Sequence, residues 1–188
     1  MQLPIWQPFI NEWYTFALFV LLIFIVIGIS ELAQSMLRWN YEFTRKLVHL
    51  FVGTIVSTCP LIFKSNIVPI FLASIFIFIN ALALKTDKFK GIHSTDRFSY
   101  GTVYFPIAFL ILALFWWEKP ITLILSMLIM TFSDTIAAVI GKRTTQPRQF
   151  QIWEDIKSVE GCLGMFLSSF MIIYIGTDLF AWLFGAAF

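Results

Sequence analysis

The sequence predicts an all-α, polytopic transmembrane helix bundle forming one integral membrane domain over residues 1–188. Three observations carry this. Of the 188 residues, 59% are hydrophobic and only 13% charged, with mean hydropathy +0.84, outside the range of ordinary soluble domains. Six apolar runs, at 13–29, 47–63, 67–84, 102–117, 121–141 and 162–175, lie near the roughly 17–25 residues a helix needs to cross hydrocarbon. The third is the distribution of charge. Lys64 and Lys119 fall on one side, whereas Arg38, Arg45, Lys46, Lys85, Lys88, Lys90, Arg97, Lys142, Arg143, Arg148 and Lys157 fall in the alternate loops.

By the positive-inside rule, that imbalance predicts a multi-pass protein with its amino terminus outside and the basic loops cytoplasmic. In a bacterium this would be the cell membrane. The net charge of +2 gives no sign of a nucleic-acid partner. Cys59 and Cys162 fall at opposite ends of their spans, which argues against a disulfide between them. The first run lacks a basic flank and a small-residue cleavage site, which argues against a cleaved signal peptide.

Along the chain, Trp13 and Tyr14 begin the first span, and Trp39 and Tyr41 follow it, at the two interfaces that such rings favour. Glu31 lies just past the inner end of that span, where an acid is ordinarily solvated. The second span opens with Arg45, Lys46 and His49, with Arg45 and His49 one turn apart on one face and Lys46 beside them. This is either a basic flank with an interfacial histidine or a phosphate-binding, proton-handling group. Asn80, near the inner end of the third span, suits helix packing. Asp96, Arg97, Ser99, Gly101 and Thr102 crowd the start of the fourth span, and hydroxyls and amides at a helix amino terminus form an anion site. Pro106 falls in the first turns of that span.

The fifth span carries Asp134 about seven residues before Gly141, at a depth where a carboxylate is costly unless it faces a cavity, a partner or a metal. Ser133, Ala137, Ala138 and Gly141 leave a thin face beside it, expected to form a groove. The loop that follows contains Phe150, Ile152 and Trp153 among charges, as an interfacial amphipathic segment would. Lys157, Glu160 and Gly161 then head the sixth span, with Lys157, Gly161, Gly164 and Ser168 on one stripe. The last run, 179–188, is only half a span and is expected to be a truncated or re-entrant helix. No Walker loop, Rossmann glycine fingerprint, CxxC pair or HExxH helix occurs in the sequence. Carboxylates and cations gathered on one membrane face are what magnesium-assisted phosphoryl or nucleotidyl transfer requires.

The blocks RKLVH (45–49), DRFSYGTVYFP (96–106), SDTIAAVIGKR (133–143) and KSVEG (157–161), in this order, resemble the CTP-dependent polyprenol kinase family, which includes dolichol kinases, phytol kinases and a fungal type of diacylglycerol kinase. The blocks span about two thirds of the chain. The resemblance implies CTP as phosphoryl donor, a magnesium or other divalent ion, and a membrane lipid alcohol as acceptor. It implies that Asp134 binds the metal, with Glu160 as a second ligand or base, and that Lys142, Arg143 and Lys157 contact phosphates. Ser133, Gly141, Ser158 and Gly161, from the same blocks, would shape the nucleotide site, as would Arg45, Lys46, Arg97, Ser99, Gly101 and Thr102. His49, Asp96 and Glu160 are candidates for the base. Phosphatidate cytidylyltransferases share a similar S-D-x-x-A-x-x-x-G-K block and a K-x-x-E-G block. The RKLVH and SYGTVYFP blocks and the small size favour the kinase. A non-catalytic transporter or assembly subunit is the third reading, and a homo-oligomer is compatible with all three.

Overall fold

The computed structural model describes residues 11–86, 101–152 and 155–184. Helix α1, Glu12–Leu37, starts at Asn11, whose side chain accepts a hydrogen bond from Trp13 N at 3.0 Å, and stops at Arg38, which takes the left-handed conformation (φ 51°). Asn40 caps α2, Tyr41–Ser57, in the same way, accepting from Glu42 N at 3.0 Å. A single turn, α3 (Cys59–Ile62), prolongs that span. Helices α4, Ile67–Thr86, and α5, Gly101–Phe115, follow, with Pro106 inside α5. The fifth span is α6, Pro120–Leu128, a π-helical turn at Ile129–Ser133, and α7, Asp134–Arg143. A two-stranded antiparallel hairpin, β1 (Gln149–Ile152) and β2 (Asp155–Ser158), leads into α8, Val159–Phe184.

Among the described residues these form six helical segments, and the fold is an all-α membrane helix bundle. Among the described residues, Glu12–Leu37, Glu42–Ile62, Pro120–Arg143 and Val159–Leu183 are long and apolar enough to span a bilayer, while Ile67–Leu82 and Val103–Phe115 are shorter apolar helices. Hydrogen bonds mark two opposite ends. At one, the Glu12 carboxylate accepts from Lys64 N at 2.6 Å, and Asn66 Nδ2 donates to Ala113 O at 3.2 Å. At the other, Lys142 donates to Glu42. Between them lies a core of Phe19, Ile23, Val56, Cys59, Phe63, Val68, Leu72, Ala73, Phe109, Leu123 and Met127. Large apolar side chains on α8, such as Phe166, Phe170 and Trp182, face outward, as a lipid-facing surface does.

Three expectations are corrected. α1 does not stop near residue 29, because its polar tail stays helical and places Glu31 inside the helix. α8 runs unbroken through Ile175 to Phe184, so residues 179–184 belong to it and form no separate half-span; 185–188 lie outside the described residues. The Gly176 position faces the Leu125 side chain and lets α8 approach α6 closely there. Lys157 lies in β2, opposite Phe150, and not at the head of the sixth helix. The segment expected to be amphipathic is this hairpin, with Phe150, Ile152 and Ile156 exposed.

Candidate functional site at the mouth of an intramembrane cavity

Helix α2 approaches the fifth span most closely at Gly53, where a Cβ would overlap the Thr131 side chain. Thr131 lies in the π-turn, and its hydroxyl donates to Met127 O at 2.7 Å. π-Turns inside α-helices mark functional sites more often than chance, because the inserted residue re-aims the side chains that follow. Asp134 is the first residue after this one. It is exposed and turned into a cavity of about 360 Å³.

Four helices supply all of this cavity's lining except Asp134 of α7. α1 supplies Ile23, Ile27, Glu31 and Gln34. α2 supplies Thr44, Arg45, Lys46, Val48, His49, Val52 and Val56. α4 gives Leu72, Ala73, Phe76 and Asn80, and α5 gives Phe105, Pro106 and Phe109. Neighbouring helices run in opposite directions, yet Glu31, Gln34, Arg45, Lys46, His49, Asn80 and Asp134 all fall at the same end. The cavity therefore has a charged mouth and an apolar floor.

At the mouth, His49 is half-buried, with its ring edge-on to Phe105 at 4.7 Å between centroids and its Nε2 3.4 Å from Met130 O. A carbonyl only accepts, so the Nε2 facing it carries a proton, and in the neutral ring Nδ1 then holds the lone pair. Glu42 bridges two cations, accepting from Lys142 of α7 and lying 3.8 Å from Lys46 of its own helix. Lys142 and Arg143 occupy the last turn of α7, where the helix dipole favours cations.

The KSVEG block does different work. Ser158 Oγ accepts from Gly161 N at 3.1 Å, capping α8. Both Glu160 oxygens accept from Arg148 N, at 3.2 and 3.1 Å, tying the base of the hairpin to the helix. A Cβ at Gly161 would lie 2.9 Å from Ala137 O and one at Gly141 2.7 Å from Ser158 Oγ, while Gly164 faces Ile140. The thin face beside Asp134, expected to be a ligand groove, is thus filled by α8. Ser133 is fully buried, and its Oγ has no hydrogen-bond partner among the described residues.

The structure therefore gathers Asp134, Arg45, Lys46 and His49 on one cavity. Lys157, Glu160, Ser158, Ser133, Gly141, Gly161 and Arg143 are not among its lining residues. Asp96, Arg97 and Ser99 lie outside the described residues, as do the side chains at Gly101 and Thr102, which begin α5. Sequence reading set Glu31 aside as a solvated boundary acid. Its signal was present in the i, i+4, i+8, i+11 series Ile23, Ile27, Glu31, Gln34, which puts the acid on the inward stripe.

Among the described residues, no three His, Cys, Asp or Glu side chains converge as a metal cage. Asp134 and Glu31 both line the cavity, and magnesium generally takes one or two carboxylates and completes its octahedron with water and phosphate oxygens. Arg45 and Lys46, which line the same cavity, are side chains of the kind that bind phosphates.

Fold and site together define a helical membrane protein with a polar-mouthed, apolar-floored cavity open to one interface. The chain is similar to a phytol kinase of Synechocystis sp., with 29% identity over 156 residues, covering 80% of this chain and 65% of that protein. The resemblance to the CTP-dependent polyprenol and phytol kinases, read above from four short blocks, is thus supported by similarity along most of the chain. The chain spans about two thirds of the length of that relative, at 65%. No protein-family model matches the chain, and no solved structure matches it.

Proposed function

We propose that the chain is a CTP-dependent kinase that phosphorylates a membrane lipid alcohol at the cytoplasmic interface. The carrying observation is the cavity, where Asp134, Arg45, Lys46 and His49 meet at the mouth above an apolar floor. A lipid alcohol has that same polarity, a single hydroxyl on a hydrocarbon body. Similarity to a protein named phytol kinase supports the same class of reaction.

In this reading the alcohol enters chain first, and its hydroxyl stops beside His49. Nδ1 of His49 accepts the hydroxyl proton, the alcohol oxygen attacks the γ-phosphorus, and the bond from that phosphorus to the β-γ bridging oxygen breaks. A lipid phosphate and CDP result. His49 is preferred as base because it lines the cavity, whereas Glu160 is engaged with Arg148 N. Asp134 and Glu31 would hold the magnesium ion, whose charge offsets that of the phosphate oxygens. Arg45 and Lys46 bind the transferring group and stabilise charge that moves onto its leaving oxygen. Lys142 reaches the donor only after leaving Glu42, so its part is in nucleotide binding. The charge bias of the loops supports an orientation in which this mouth faces the side that holds nucleotides.

The test is purified protein in mixed micelles with γ-labelled CTP and a panel of phytol, polyprenol and diacylglycerol. Labelled lipid phosphate is the expected product. No transfer to any alcohol would overturn the reading.

A further inference from the structure

We infer that the hairpin of β1 and β2 lies against the phospholipid headgroup layer of the membrane that the bundle crosses, with Phe150 and Ile152 turned into it. The strands pair Gln149 with Ser158, Phe150 with Lys157 and Gln151 with Ile156. Directly paired residues share a face of a sheet and successive ones alternate. Phe150, Ile152 and Lys157 therefore fall on one face, and Gln149, Gln151, Ile156 and Ser158 on the other. Phe150, Ile152 and Lys157 are all exposed. One face thus presents two large apolar side chains with a cation beside them, while the other carries two amides. A lysine suits that place, because its stem lies along hydrocarbon while its ammonium reaches lipid phosphates.

A hairpin of two short strands is marginal in water unless one face is covered, and among the described residues this sheet has two strands only. Its position supplies the cover. β2 passes into α8 with no residue between them. Val159 N donates to Arg148 O at 3.0 Å, and Glu160 accepts from Arg148 N, so both strands are anchored on the first turn of α8. One turn further along, the exposed Leu163, Phe166 and Leu167 belong to the lipid-facing surface. Lys157, and with it Phe150 opposite, is at most about 13 Å of chain from Leu163, through two residues of strand and four of helix. The polar layer on each side of the hydrocarbon is roughly 5–8 Å thick, so the root of the hairpin stands at that layer. The apolar face of the hairpin continues the lipid-facing surface of α8. Arg148, exposed at the same root, complements the charge of lipid phosphates.

The experiment uses the full chain in nanodiscs of phosphatidylcholine and phosphatidylglycerol, without nucleotide, so its outcome is independent of the kinase reading. Cys162→Ser removes the exposed thiol and leaves the fully buried Cys59. Gln149→Cys, Phe150→Cys, Gln151→Cys and Ile152→Cys, made one at a time, then carry an NBD fluorophore, and the lipids carry a spin label near the headgroup or near the chain end. The headgroup-proximal label is expected to quench positions 150 and 152 at least about threefold more than 149 and 151, as shallow insertion of one face requires, and the chain-end label to quench none of them. Amide exchange on the unlabelled protein gives a second reading. Residues 149–158 should exchange about tenfold faster in Phe150→Ser/Ile152→Ser than in the wild type, as loss of a covering surface allows, with the unfolding temperature of the bundle unchanged. Equal quenching on both faces, no quenching at 150 and 152, or unaltered exchange in the double variant overturns the inference. Protection that appears only in discs holding two chains gives the face to a second copy and overturns it as well.

Discussion

Gly53 of α2 sits so close to Thr131 of the π-turn that no side chain larger than hydrogen fits between them. This contact fixes where Asp134 stands relative to His49, because the two residues lie one turn from it on facing helices. Gly53→Val is expected to force the helices apart, costing about 1–3 kcal/mol of stability as overpacking does, and to lower kcat more than it raises KM for CTP. Pairing it with Thr131→Ala should recover part of both losses. Thermal unfolding in detergent and steady-state kinetics on the four proteins check this.

Among the described residues, Asp134 and Glu31 are the two carboxylates that line the cavity. Asp134→Asn is expected to reduce kcat/KM by about 100-fold or more without lowering the unfolding temperature, since an exposed acid contributes little to packing. Glu31→Gln should retain activity but need about tenfold more magnesium for half-maximal rate. Titration of magnesium at saturating CTP distinguishes the two.

Glu160 offers the opposite case. Its carboxylate accepts from Arg148 N, and a glutamine oxygen accepts equally well. Glu160→Gln is therefore expected to keep most of the activity, with Glu160→Ala losing about tenfold through a displaced hairpin. Equal, large losses in both, with a raised magnesium requirement, would instead assign Glu160 to the metal.

Ser133 and Lys142 separate packing from binding. Ser133→Ala removes a buried hydroxyl that has no partner among the described residues, so stability should hold or rise by up to about 1 kcal/mol and KM for CTP should stay within about twofold. Glu42→Gln breaks a solvent-exposed pair worth under about 1 kcal/mol and frees Lys142. KM for CTP should then fall or stay constant, whereas Lys142→Ala should raise it.

Much of the bundle was legible because apolar runs and alternating basic loops obey the bilayer, a solvent with few options. Span ends were less so. The tail of α1 remains helical past its apolar stretch, and Asp178 is tolerated within α8, since helix continuity depends on backbone bonding and not on hydropathy. Asp134, Arg45, Lys46 and His49 were found from the cost of polar groups at depth. Glu160 and Ser158 sit in an equally polar block, yet much of what they do is to cap α8 and tie the hairpin. Composition cannot tell a ligand from a cap. Glu31 is an exposed acid, and its place on the cavity is confirmed only by the face that α2, α4 and α5 complete.

The most direct measurement follows CTP labelled at both the α- and γ-phosphates, incubated with phytol and with phosphatidate, using the wild type and Asp134→Asn. The proposed mechanism predicts γ-label in a lipid phosphate, all α-label in CDP, and loss of both signals in the variant. Pyrophosphate with α-label in the lipid would contradict it, and so would undiminished transfer by Asp134→Asn.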